Sequence, residues 1–97
     1  MSEFVSEREM GFTRAAFFKQ LPRTLAEYEY TINGDHINVE LAEGSVDITV
    51  GPEGERRFTA VVAFPMLPVT LRFQDASDEA RNGFLHRFES SYRKGLG

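Results

Sequence analysis

Apolar and polar residues alternate along most of the middle of this chain, and that alternation leaves few folds open to it. Tyr28, Tyr30 and Ile32 are separated by Glu29 and Thr31, then Ile37, Val39 and Leu41 by Asn38 and Glu40, then Val46, Ile48 and Val50 by Asp47 and Thr49. Phe58, Ala60, Val62 and Phe64 repeat the pattern, as do Val69, Leu71 and Phe73. Successive side chains of an extended chain point to opposite faces, so a period of two sets one face against a core and the other in water. Five such runs predict a five-stranded antiparallel sheet with one covered face.

The segments between the runs fix the expected register. Asn33-Gly34 is a strong hairpin signal, because a two-residue loop of this kind needs positive φ. It pairs Tyr30 with Ile37. A two-residue turn at Glu43-Gly44 pairs Val39 with Ile48, and a longer loop from Gly51 to Arg57 sets Val50 against Phe58. A turn over Pro65-Met66-Leu67-Pro68 sets Phe64 against Val69. Every junction keeps the apolar set on one side, and a slip of one residue would send it into solvent. The expected topology is a meander in sequence order, with Val69–Phe73 as an edge strand.

Helical patterns flank the sheet. Thr13 is placed to cap a helix from Arg14 to Leu21, because its hydroxyl can accept from early unpaired N–H groups. Phe17, Phe18 and Leu21 share one face of that helix, and Pro22 is expected to end it. Ser77 caps a second helix, with Asp78 and Glu79 at its positive end. Ala80, Phe84, Leu85, Phe88 and Tyr92 form its inward stripe. Gly83 lies inside that helix, where close packing is the plain reading and a hinge or ligand approach the functional one. The chain therefore reads as α+β: an α-β-β-β-β-β-α two-layer sandwich with both helices on one face. Residues 1–11 are expected to be a flexible N-terminal arm, and residues 12–97 a single domain.

Composition narrows the function classes. The chain has no cysteine, which excludes disulfides, cysteine-based zinc sites and thiol chemistry and fits a cytoplasmic setting. Its start has no basic and apolar leader pattern, and its longest apolar run is too short to span a bilayer. Neither a phosphate loop nor a nucleophile elbow, zinc-helix motif or dinucleotide fingerprint is present. The two histidines, His36 and His86, are expected on separate surfaces, so no cofactor or metal is assigned.

Charge placement is more informative. Residues 24–55 carry Glu27, Glu29, Asp35, Glu40, Glu43, Asp47, Glu53 and Glu55 and not one lysine or arginine. In the expected register Glu27, Glu40 and Asp47 form a row across three strands on the open face. A solvated face accounts for scattered acids better than for a row, because like charges directly opposite one another are destabilising. The functional reading is a surface for a basic protein partner. A divalent cation fits less well, since strand carboxylates rarely supply the six or more oxygens calcium takes. Nucleic acid is not expected on an acidic face, because its affinity depends on neutralising phosphates.

Two further surfaces bear on assembly. The strand Val69–Phe73 is guarded as an edge mainly by Arg72, with Thr70 beside it, which leaves it open to self-association. Met66 and Leu67 form an apolar contact spot in the turn between the prolines. The sequence thus reads as a non-enzymatic protein-interaction module using the acidic face or the edge strand. The alternative is a small-molecule binder or minor enzyme with an apolar pocket lined by Tyr28, Tyr30 and helix aromatics.

Overall fold

The computed structural model describes residues 3–95, with side chains as far as Arg93. The sheet is entirely antiparallel and has six strands: β1 (Glu3–Met10), β2 (Glu29–Asn33), β3 (His36–Glu40), β4 (Ser45–Val50), β5 (Gly54–Arg57) and β6 (Ala63–Gln74). Helix α1 (Arg14–Thr24) joins β1 to β2, and α2 (Asp78–Gly95) follows β6. The strands lie in the order β1-β6-β4-β3-β2, with β5 paired to the far end of β6. This is the expected α+β class with one strand more than anticipated.

The extra strand is β1. Of the expected flexible arm, Met1 and Ser2 lie outside the described residues. Glu3–Met10 instead pair with β6 along their whole length, from Glu3 opposite Gln74 to Met10 opposite Leu67. Glu7, Arg8 and Glu9 make a charged outer strand, which is the chemistry that keeps an exposed sheet edge from recruiting another chain.

β6 corrects two other expectations. Pro65-Met66-Leu67-Pro68 does not turn: the chain runs extended from Ala63 to Gln74. Phe58 and Val62 are hydrogen-bonded across the tip, Phe58 N–H donating to Val62 O at 2.9 Å. Bonded and non-bonded pairs alternate in an antiparallel ladder, so Pro65, opposite Glu55, falls at a non-bonded position and its missing N–H costs nothing. Pro68 lies where the partner strand is interrupted, and its carbonyl accepts from Gly51 N–H (2.8 Å). The Val69–Phe73 segment is therefore central, flanked by β1 on one side and β4 on the other.

Register departs from expectation by two residues in the first hairpins. Tyr30 lies opposite Val39 and Ile32 opposite Ile37, with Gly34 and Asp35 occupying the turn and Gly34 at φ +64°. Val39 likewise faces Val46. A shift of two keeps every side chain on its own face, so the covered face still holds Ile37, Val39, Val46, Ile48, Val50, Val69, Leu71 and Phe73, all buried.

Both helices pack on that face. Thr13 caps α1, its hydroxyl accepting from Ala16 N–H at 3.1 Å, and Ser77 caps α2 through Ala80 N–H at 3.1 Å. Pro22 does not end α1, which continues to Thr24. Burial of Leu21, Thr24 and Leu25 outweighs the local preference of the residue before proline. Phe17, Phe84, Phe88 and Tyr92 are buried between helices and sheet, with the Phe17 and Tyr92 rings stacked 4.9 Å apart. Tyr92 donates its hydroxyl to Phe17 O (2.9 Å), and burial pushes that hydroxyl's pKa well above its ordinary 10.0. Gly83 is exposed, and a Cβ there would meet nothing within 4 Å, so close packing is not why glycine stands at this position.

Candidate functional site

β4 and β5 together form one long hairpin with β6, and its two halves have different surroundings. The inner half, Ser45–Val50 against Val69–Gln74, lies inside the sheet. Beyond Gly51 the ladder resumes at Gly54 opposite Met66 and ends at Arg57 opposite Ala63, where among the described residues β5 pairs with β6 alone. This outer half projects from the body. The molecule measures 47 × 24 × 24 Å, and its radius of gyration is 14.0 Å. A compact chain of this length has about 12.5 Å.

Local chemistry closes the tip. Thr59 Oγ1 accepts from the N–H groups of Val61 (3.2 Å) and Val62 (3.0 Å), and Val62 O accepts from Phe58 and Thr59 N–H. Cross-strand pairing puts Arg56, Phe58, Val62, Phe64 and Met66 on one side and Glu55, Arg57, Ala63 and Pro65 on the other. The first side is apolar and exposed: Phe58 is 62% accessible, Phe64 54% and Val62 39%, while Val61 at the tip is 90% accessible. The Phe58 and Phe64 rings meet edge to face at 5.4 Å. Four of the seven exposed large hydrophobic side chains among the described residues lie in this arm. Because β6 is unbroken, this side runs on through Met66 and Pro68 to Thr70 and Arg72 on the side of the sheet that the helices leave open.

The structure separates the residues that the sequence put together. Leu67 is fully buried and Met66 partly so; the apolar contact chemistry lies beside them, at 58–64. Thr70 and Arg72 are in the central strand, so they offer no free edge to a second copy. Arg72 lies between Asp47 of β4 and Val5 of β1, with its Nε 3.6 Å from Glu3 Oε2.

The acidic row is also rearranged. Glu27 precedes β2 and turns to the helices, with its Oε2 3.2 Å from Arg87 Nη1. Glu29 takes its place, directly opposite Glu40. Asp47 stands across from Asn38 and is only a diagonal neighbour of Glu40. Other acids of the base-free segment also find partners: from distant sequence, Asp35 pairs with Arg14 and Glu53 accepts from Arg14 N–H (2.6 Å), while Glu55 pairs with Arg57 two residues on (2.8 Å). Among the described residues no ion pair joins Glu29 or Glu40, and no group of three or more His, Asp or Glu side chains gathers as a metal ion requires. His36 lies on the open face, Nδ1 3.3 Å from Thr49 Oγ1, and His86 is exposed on α2.

Of the pocket expected under the helices there is a cleft of about 240 Å³ lined by Tyr28, Leu41, Gly83 and Phe84, without Tyr30. Burial raises the Tyr28 hydroxyl's pKa, partly offset by Arg87. No helix among the described residues is long and apolar enough to cross a membrane. Compared with protein-family models, with curated proteins and with solved structures, the chain matches none of them.

Proposed function

We propose that this chain is a non-enzymatic interaction module whose principal contact is the projecting hairpin arm, residues 54–66. The observation that carries the reading is the exposure of Phe58, Val61 and Phe64 on a two-stranded ribbon that, among the described residues, is tied to the body at its base by the Arg56–Glu9 ion pair (3.4 Å). A two-stranded hairpin is marginal in water unless its apolar face is covered, and exposed apolar side chains that cluster contiguously within a polar rim, rather than scattering singly, mark contact sites. Charge identifies the partner's chemistry. The arm holds Glu55, Arg56 and Arg57, a net of +1 on a chain of net −4, so the remainder carries −5. The partner that fits is a protein with an apolar groove rimmed by carboxylates, with Arg56 and Arg57 steering the approach. The absence of cysteine goes with a cytoplasmic setting.

A displayed library of random peptides tests this. Wild-type protein is expected to enrich sequences mixing apolar and acidic residues, and the Phe58→Ser/Phe64→Ser variant to lose them while keeping its thermal midpoint. Equal enrichment by both proteins would remove the arm from the contact, and concentration-dependent sedimentation abolished by the same variant would make the partner a second copy. A second contact rests on Glu29 and Glu40, whose opposed and unpaired carboxylates suit a basic side chain from the partner. Glu29→Gln/Glu40→Gln loses enrichment of basic peptides under that reading.

A further inference from the structure

We propose that the cleft between α1 and α2 binds a phosphate-type oxyanion. This open cleft measures about 480 Å³ and is lined by Gln20 and Arg23 from α1 and by His86, Arg87, Ser90 and Ser91 from α2. Each of these side chains can donate a hydrogen bond and none is a carboxylate, on a chain with fifteen acids and net charge −4. The volume lies within the roughly 300–1,000 Å³ typical of small-molecule sites, so the cleft has room for the organic part of a phosphomonoester as well as its charged end.

The floor is held in place. Gln20 Nε2 donates to both Ser91 O (3.2 Å) and Ser91 Oγ (3.0 Å), and Thr24 Oγ1 lies 2.6 Å from Ser91 Oγ. These bonds tie the two helices at this level and fix the separation of the two guanidinium-bearing positions. Arginine forks match the oxygens of phosphate in a bidentate way that a lysine point charge does not.

Arg87 already shows what such a ligand does. Its Nη1 lies 3.2 Å from Glu27 Oε2, and the Glu27 side chain is 71% exposed. An exposed pair of this kind is held weakly, so Glu27 is an internal oxyanion that an external one can displace. No ion pair occupies Arg23 among the described residues. A phosphate bridging Arg23 and Arg87 satisfies both, with the Ser90 hydroxyl within the same lining.

The arrangement makes an asymmetric prediction: removing a base weakens binding, whereas removing the acid Glu27 strengthens it. Isotope-labelled protein is titrated with inorganic phosphate and, separately, with glycerol phosphate, at ionic strength held constant with chloride. Saturable amide shifts are expected within residues 20–24 and 86–91. Arg23→Gln and Arg87→Gln each weaken binding by roughly tenfold, the scale of a lost hydrogen bond to a charged group. Glu27→Gln tightens it by about threefold, the scale of an exposed ion pair. Tighter binding of glycerol phosphate identifies a phosphorylated small molecule as the ligand, and equal binding identifies the free ion. Absence of saturation, shifts as large around Arg57 and Arg72, or a Glu27→Gln variant that binds no better overturns the proposal. Arg23, Arg87 and Glu27 all reach solvent, so unchanged thermal midpoints separate loss of binding from loss of fold.

Discussion

The inner and outer halves of the long hairpin are built from the same kind of sequence and meet opposite fates. Val46, Ile48 and Val50 face Phe73, Leu71 and Val69 and are buried; Phe58 faces Val62 beside Phe64, and all three are exposed. Alternation is equally clean in both. What differs is the surroundings: β1, β3 and the helices enclose the inner half, whereas the outer half pairs only β5 with β6 among the described residues. A period of two therefore reports that a strand has an apolar side, not that anything covers it.

Substitution at matched phenylalanines gives the largest expected contrast. Phe73→Ala is expected to cost about 3–5 kcal/mol by urea denaturation, as for other buried aromatics. Phe64→Ala should cost less than about 1 kcal/mol. Equal losses would mean the arm is as much a part of the core as the body. Glycines extend the comparison. Gly44 has φ +81° and a Cβ there would run into Gln74 O, so Gly44→Ala should cost about 1–3 kcal/mol. At Gly54, in the arm, the nearest atom to an added Cβ is Met66 O at 3.8 Å, and alanine should change stability by no more than about 0.5 kcal/mol. Gly83→Ala, on the helix that roofs the inner half, should instead raise stability by about 1 kcal/mol.

The smallest effect is read in the alkaline range. Burial of Tyr92 raises its pKa above the ordinary 10.0, so the native state keeps a proton that the unfolded chain gives up. The associated stability is fully present below pH 10 and falls as pH rises beyond it. Tyr92→Phe should flatten that decline in denaturation midpoints measured from pH 8 to 11, while losing the bond to Phe17 O. An unchanged slope would place the titrating group elsewhere.

Much of the body was legible in the sequence because burial and periodicity coincide there. Both helix caps, the inward stripe of α2 and the face assignment of β2, β3 and β4 follow from residue type and spacing. Register did not, since a shift of two at Asn33-Gly34 leaves every apolar side chain on the same side. β1 escaped notice because Glu7, Arg8 and Glu9 protect an edge with the same residues that make a solvated tail. Pro65 and Pro68 resemble a turn, and only the bonding phase of the ladder reveals that one sits at a non-bonded position. Local counting of acids also misled: Arg14 and Arg87 reach into the base-free segment from far along the chain. The candidate arm was read as core for the reason its inner counterpart is core, and its true turn, at Thr59, has no glycine or proline to announce it.

The central position of β6 has a consequence for the order of events during synthesis. β1 is made early, yet its partner in the sheet, β6, is made roughly sixty residues later, a separation of the kind that slows folding. Until the ribosome releases β6, Phe4, Val5 and Met10 have no strand to lie against, while β2, β3 and β4 can already pair by short hairpins. The last strand produced is the one that joins the first to the rest, so the sheet closes only after β6 has been made.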